Sequence, residues 1–416
     1  MKKFALFLLI GVVGTAPAFA DGALSWQDCV TEARQHNPDL VSAKEKLHGA
    51  QAEKAVTRSG ILPQVSTNAS TSTDKAEDRD KTKTYSYGVT AKQLLFDGFK
   101  SVYDLSSADQ NIKAAAYNYE ITSSNVRLNL WSAYVGLLYA QESLNVTKDI
   151  VARRKQNLDL VQLQYDGGKE HKGSLLTAKA NLAQAQFEVE QAARNVELYQ
   201  RRLHKQLGRE NFTPITASGD LIIRDIDTEK PVFETLVDAT PLLKQLVAEK
   251  ESARLGLKSS QAALFPEVYA NASAGKSDNV WPPQARSWSA GFSVSFPIFQ
   301  GGLQQAGISK ARAGFEQAKA DMRSGRDGVI LTLAETWTQW QDAVAQARIQ
   351  EQFLEASRER ARITEAQYSS GLSTFNDWSL IEDALVSNEK AVLQAKASAF
   401  TSEASWLQAK GETLDE

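Results

Sequence analysis

Residues 62–74 read LPQVSTNASTSTD and residues 265–277 read FPEVYANASAGKS, and these two stretches decide the fold. After each proline the chain takes up a period of two. Val65, Thr67, Ala69 and Thr71 alternate with Gln64, Ser66, Asn68 and Ser70, and Val268, Ala270, Ala272 and Ala274 space the second run. Side chains point to opposite faces of a strand in turn, so this alternation predicts strands with one apolar and one polar face. A charged loop, Lys75 to Lys83, leads to Tyr85, Tyr87, Val89 and Ala91 alternating with Thr84, Ser86, Gly88 and Thr90, which makes a hairpin. The later stretch does the same through a loop from Ser277 to Arg286. There Trp288, Ala290, Phe292, Val294, Phe296 and Ile298 alternate with Ser287, Ser289, Gly291, Ser293 and Ser295.

The two hairpins lie 203 residues apart, and that offset holds well beyond them. Asn37-Pro38-Asp39-Leu40 matches Thr240-Pro241-Leu242-Leu243, Phe96-Asp97-Gly98 matches Phe299-Gln300-Gly301, and Gln164-Tyr165 matches Gln367-Tyr368. Gly168 matches Gly371, Leu182 matches Leu385, and Gly208 matches Gly411. A constant register without net insertion predicts one structural unit used twice. The first repeat is expected over residues 21–225 and the second over residues 226–416, each running helix, two strands, long helix, helix.

Prolines divide each unit, because an interior proline removes a helical hydrogen bond and costs about 3 kcal/mol. Residues 64–213 and 298–416 contain none. The stretch from Phe99 to Asp166, as one helix, would run about 100 Å at ~1.5 Å per residue, and Gly302 to Ser369 is its counterpart. In the helix that follows the first, Leu175, Ala178, Leu182, Ala185, Val189, Ala192, Val196, Tyr199 and Leu203 step by three and four, the period of a coiled coil. Trp378, Ile381, Leu385, Val392, Ala395, Ala399 and Trp406 keep the same phase in the second unit. The shorter helices, Trp26 to Arg58 and Gly173 to Gly208, together match the length of the long one and are expected to stack end to end along it.

Residues 1–20 read as a secretory signal peptide: Lys2 and Lys3, then the apolar stretch Phe4 to Val13, then Ala18-Phe19-Ala20 at the cleavage site. No later segment has the roughly 18 consecutive apolar residues of a transmembrane helix, so any membrane crossing must use strands. Ten to twelve residues tilted by about 45° cover roughly 25 Å, the height of an outer-membrane apolar band. Tyr85, Tyr87, Val89, Trp288, Phe292, Val294 and Phe296 are the expected membrane-facing residues. A soluble sandwich would require a second apolar layer over the opposite face, which here is Ser, Thr, Asn and Gly, and a water-filled lumen fits that face better.

The rest of the composition removes other classes. The formal net charge is −3, and about −5 without Lys2 and Lys3, which argues against nucleic acid as a partner. Cys29 is the single cysteine, and His36, His48, His171 and His204 are scattered without zinc spacing. No cofactor, metal site or catalytic residue is expected, and the chain is not read as an enzyme. Cys29 is expected to be a buried, inert thiol.

Four strands cannot close a barrel, and open sheet edges are not tolerated in lipid, so several copies must associate. The duplicated pattern resembles the TolC-like outer-membrane efflux protein family, the outer membrane factors of tripartite export systems. The likeness rests on Leu24-Ser25-Trp26 with Asn37-Pro38-Asp39-Leu40, on Leu62-Pro63 and Phe265-Pro266 before the strands, on the Phe-x-Gly pairs after them, and on Tyr368-Ser369-Ser370-Gly371-Leu372-Ser373. It covers essentially the whole mature chain. It implies a mixed α and β chain, mostly α. Three copies would build a 12-stranded transmembrane β-barrel, four strands per chain, continuing into a periplasmic α-helical coiled-coil barrel.

The resemblance further implies an outer-membrane location with a large periplasmic part. Function would be that of a passive channel-tunnel in tripartite efflux or type I secretion, carrying small toxic compounds or polypeptides. A homotrimer, a periplasmic adaptor, an inner-membrane pump and outer-membrane lipid are the implied partners. The helix reversals at Tyr165 to Gly173 and Tyr368 to Thr374 would be the periplasmic tips, with Gly168, Lys169, Gly371, Leu372 and Ser373 as adaptor-docking positions. Asp377 sits where some members carry an acidic constriction ring. The second acid of that pattern is Leu380 here, which leaves a two-ring gate in doubt, and Glu382 and Asp383 are read as facing outward. A non-channel periplasmic coiled-coil adaptor or surface structural protein shares the heptads and is the alternative reading, but it has no use for four alternating strands.

Overall fold

The computed structural model describes residues 23–75, 81–223, 226 and 229–415. The expected signal peptide, residues 1–20, lies outside them, as do residues 76–80 of the first hairpin loop. Helix α1 (Trp26–His36) and helix α2 (Pro38–Ser59) lead to strands β1 (Gln64–Asp74) and β2 (Thr82–Phe96), then to α3 (Lys100–Asp166) and α4 (Lys172–Leu207). A short helix, α5 (Phe233–Leu236), and a 3₁₀ turn precede α6 (Pro241–Ala262), β3 (Glu267–Asp278), β4 (Arg286–Ser295), α7 (Leu303–Ser369) and α8 (Phe375–Lys410). Counterparts are equal in length, with 22 residues in α2 and α6, 67 in α3 and α7, and 36 in α4 and α8. Each begins 203 residues after its partner.

Local chemistry places the boundaries. Ser25 and Asp28 form a capping box that starts α1. Asn37 accepts from the Asp39 and Leu40 N–H groups to start α2, with Pro38 in the first turn, where its missing N–H costs nothing. The single helix expected from Trp26 to Arg58 is therefore two, broken at Asn37. β2 begins at Thr82, so Thr82 and Lys83, expected in the loop, belong to the strand. β4 ends at Ser295. Phe296, expected within it, lies one residue past its end, because Pro297 lacks the N–H that would continue the ladder.

The strands form one antiparallel sheet in the order β1-β2-β3-β4. Val65 pairs with Ala91, Val89 with Ala274, Ala274 with Trp288, and Ala270 with Phe292. Directly opposite residues share a face, so most apolar side chains of the four strands stand on one side of the sheet, with Leu94 and Tyr269, paired with each other, on the other. β1 and β4 are left as free edges within the chain.

The helices pack along α3. α2 and α4 both lie against it, as do α6 and α8, while α6 and α8 also line α7. α4 meets α2 end to end, but the joint falls at Asn37, between α1 and α2, and not at Trp26 where the expected single helix began. Asn37 Nδ2 donates to the Gln206 carbonyl at 2.8 Å, and a Cβ on Gly208 would stand only 2.1 Å from the His36 carbonyl oxygen. Gly411, closing α8, abuts Pro241 at the start of α6 in the same way. The main core, around Leu130, Leu137, Leu203, Leu207 and Cys29, sits at this junction. Burial pushes the Cys29 thiol up to about 12, so it stays protonated and inert. Among the described residues no helix is long and apolar enough to cross a membrane.

Candidate functional site: a two-faced sheet and paired helical tips

On one face of the sheet Val89, Trp288, Phe292 and Val294 are 48–81% exposed, with Tyr87 and Val65 beside them. Tyr85 shares this face and is half-buried against Trp281. An apolar surface spread over four strands, with no layer packed on it in the chain, is a surface for lipid or another apolar partner. The opposite face is knit by hydroxyls. Ser66 Oγ meets Thr90 Oγ1 at 2.7 Å, Ser70 Oγ meets Ser86 Oγ at 2.8 Å, Ser273 Oγ meets Ser289 Oγ at 2.8 Å, and Asn271 Nδ2 donates to Ser293 Oγ at 2.8 Å. These groups satisfy one another and leave a hydrophilic wall.

About 100 Å of helix away, by length of α3, the structure brings the two helix reversals together. The α3–α4 turn places Gly168 at φ 71° and the α7–α8 turn places Gly371 at φ 81°. Both use the left-handed conformation that glycine adopts freely. Lys169 N donates to Gln164 O, and Leu372 N to Gln367 O, each at 2.8 Å. Leu372 projects at 81% exposure. A cleft of about 740 Å³ runs between the turns, with Lys169, Glu170, Tyr368, Gly371 and Ser373 in its wall.

One hydrogen bond links the tips directly: Tyr368 Oη donates to Glu170 Oε2 at 3.2 Å. Glu170 also accepts from the His171 N–H at 3.0 Å and from Ser174 Oγ at 2.9 Å. Burial pushes the Glu170 carboxyl up, but those three donors outweigh it and hold it below the ordinary value of 4.5. Burial and the adjacent Glu170 carboxylate push the Tyr368 phenol up, so it remains a donor. Tyr368 stacks on Trp378 at 4.5 Å and 14°, and Phe375 meets both edge-on. Tyr368 is a landmark of the 203-residue register, and Glu170 falls within the reversal from Tyr165 to Gly173. Nothing in the sequence joins residues 198 positions apart.

Asp377 is exposed on the first turn of α8, where Thr374 Oγ1 donates to its carboxylate at 2.7 Å and accepts from its N–H at 3.2 Å. It thus caps α8, whichever way the turn faces in an assembly. Glu382 departs from expectation. It is 5% exposed and turned into the helix interior, within reach of Asn157, while Asp383 pairs with Arg154. About two turns on, Arg153 grips Glu389 with two bonds of 2.8 and 2.6 Å. Lys390 reaches Glu188 on α4, and Lys396 reaches Glu351 on α7. α8 is therefore tied to α3, α4 and α7 at once. Among the described residues no cluster of His, Cys, Asp or Glu could hold a metal ion.

The comparisons with known proteins converge. BepC, an outer membrane efflux protein of Brucella suis, is 21% identical over 403 residues, covering 94% of this chain and 87% of its own length. The alkaline protease secretion protein AprF of Pseudomonas aeruginosa is 24% identical over 420 residues, covering 92% and 83%. Among solved structures, the Campylobacter jejuni CmeC outer membrane channel matches with a TM-score of 0.84 at 17% identity, over 93% of this chain and 86% of that one. A likeness at that identity establishes the fold. The family model described as outer membrane efflux protein matches twice, over residues 29–209 and again over residues 234–412, so that both halves carry it, and the chain belongs to the outer membrane efflux protein family.

Proposed function

We propose that this chain is one protomer of a homotrimeric, passive outer-membrane duct that hands efflux or type I secretion cargo from a periplasmic adaptor and an inner-membrane pump to the exterior. The carrying observation is the sheet: one face apolar and exposed, the other polar and hydrogen-bonded, with two free edges. A single copy cannot close it, and three copies give twelve strands, within the range of outer-membrane barrels. Members of the family work as trimeric channels with adaptor and pump partners. The apolar face would then meet lipid and the hydroxyl face would line the lumen. The same sheet disfavours the coiled-coil adaptor reading, since such an adaptor has no lipid to cover these side chains.

The equal helix pairs and the doubled family match support a duplicated unit, residues 21–225 and 226–416. At the periplasmic end Gly168, Lys169, Gly371, Leu372 and Ser373 would meet the adaptor, and the projecting Leu372 supports that role. Asp377 would ring the constriction in three copies. Opening and closing need no chemistry in the chain itself; the tips only have to part.

The experiment is electrophoresis of the outer-membrane fraction with and without heating, joined to single-channel recording. The expected result is an unheated band near three times the monomer mass and discrete conductance steps in a planar bilayer. Purely soluble periplasmic monomer would sink the proposal. Asp377→Ala tests the constriction, and unchanged conductance would remove Asp377 from it.

A further inference from the structure

Resting on the membrane-barrel reading above, we infer that the outward face of the sheet carries, at its loop end, a site for the phosphate of an anionic, phosphorylated glycolipid in the outward leaflet. Lys276 of β3 and Arg286 of β4 are directly opposed in the register. Lys276 also stands opposite Tyr87 of β2. They therefore share the face of Tyr87, Val89 and Trp288, and lie one step on the loop side of Trp288, which pairs with Ala274. This is the edge where the apolar band ends and lipid headgroups begin.

Two like charges directly across a strand pair destabilise it, so the arrangement calls for a counterion. Among the described residues the acid on the same face is Asp278, two residues on from Lys276. Its carboxylate is already engaged, with Oδ1 accepting from Asn279 N at 2.8 Å and Oδ2 from Gln284 N at 3.2 Å. Ser277 N closes the base of that loop onto Ala285 O at 3.0 Å. Neither Lys276 nor Arg286 makes an ion pair among the described residues. A lipid phosphate placed between them would receive the Arg286 fork and the Lys276 ammonium, a pairing both side chains are built for.

The surroundings fit a headgroup bearing sugars and more than one phosphate. Farther toward the loop, Lys83 stands over the Tyr85 ring at 5.0 Å, and Tyr85 meets Trp281 at 5.8 Å. Lys83 is four residues from Tyr87 along β2, about 13 Å at ~3.3 Å per residue. Rings with apolar faces and polar edges between two cationic positions belong at a lipid–water interface.

The test uses the purified full-length trimer in neutral detergent, immobilised and exposed to phosphorylated lipopolysaccharide, enzymatically dephosphorylated lipopolysaccharide, or inorganic phosphate as competitor. Wild type should retain the phosphorylated form at least tenfold over the dephosphorylated form. The double variant Lys276→Gln, Arg286→Gln should lose that preference, while Lys46→Gln with Lys244→Gln on the helices should keep it. Retention by the double variant equal to wild type overturns the site. So does displacement by inorganic phosphate at concentrations equal to the lipid, which would make it a free-anion site. An intact heat-modifiable trimer with unchanged lipid retention sinks this inference alone, whereas a soluble monomer sinks the channel reading and this one with it.

Discussion

Single residues set the strength of the joints. Gly208 and Gly371 both hold positive φ, 76° and 81°, yet their surroundings differ. A Cβ on Gly371 meets nothing within 4 Å, while on Gly208 it would collide with the His36 carbonyl. Gly371→Ala should therefore cost only the left-handed backbone, about 1–2 kcal/mol. Gly208→Ala should cost distinctly more by parting the α4–α2 joint, and thermal dissociation of the trimer should rank them in that order. At the tips, Tyr368→Phe removes a hydrogen bond to a charged group, worth about 1.5–3 kcal/mol, and Glu170→Gln weakens it. Both should raise single-channel conductance or open probability, and no change in either removes the tie as a closing device. Because the Glu170 carboxyl is held below 4.5 in the folded chain, its contribution is present above that value and lost as pH falls through the folded one. Wild-type channels should accordingly loosen on acidification below about pH 4.5, and Glu170→Gln channels should not. The residues of this tie were visible in the sequence, but their partnership was not, since a contact between two hairpins leaves no local pattern.

Elements carry the next set of predictions. Phe292 and Ser293 are neighbours on β4 with opposite facings. An arginine on the lipid face near mid-membrane costs about 2–4 kcal/mol, and one in the lumen little. Phe292→Arg should block outer-membrane assembly, seen as loss of the heat-modifiable band, while Ser293→Arg should assemble normally and shift ion selectivity toward anions. Equal behaviour of the two would refute the facing assigned to the sheet. Helix α8 gives the opposite pH sign from Glu170. Burial pushes the Glu382 carboxyl above 4.5, opposed by Arg153, Asn157 and Arg154 and reinforced by Glu365. Its ionisation thus works against folding above the folded value, and that penalty disappears as pH falls toward 4.5. Glu382→Gln should raise thermal stability at neutral pH, with the gain vanishing at low pH. The period of three and four in α4 and α8 was legible, and Leu175, Ala178, Leu385 and Trp406 are buried as it requires. The pattern gave no hint that Leu393, Ala397 and Ala404 of α8 would be buried too. They are, because α8 is wedged between α7 and α3, whereas α4 leans mainly on α3. Counterpart helices with the same heptads thus do different work.

For the whole molecule, folding and assembly should be one event. A chain whose sheet has two free edges and an uncovered apolar face cannot bury either alone, so stability should depend on protein concentration. Recovery of the heat-modifiable form after denaturation into detergent should rise more steeply than in proportion to concentration, and a strictly first-order recovery would contradict coupled assembly. Sequence alone specifies the elements and their order, apart from the break at Asn37 that divides α1 from α2, because the information is local. Alternation sets strand faces, proline-free length sets α3 and α7, glycine sets the turns, and a constant offset of 203 residues ties the two halves to one plan. It also determined that one copy is insufficient, since four strands and a lipid-exposed edge are incompatible. What crosses between the halves comes from folding alone. The Tyr368–Glu170 tie, the inward turn of Glu382, the joints at Gly208 and Gly411, and the facing of Lys276 toward Arg286 each depend on register or on contacts between distant segments. Periodicity fixes which side of an element is apolar, but the angle and depth at which two such sides meet is set by packing against everything else.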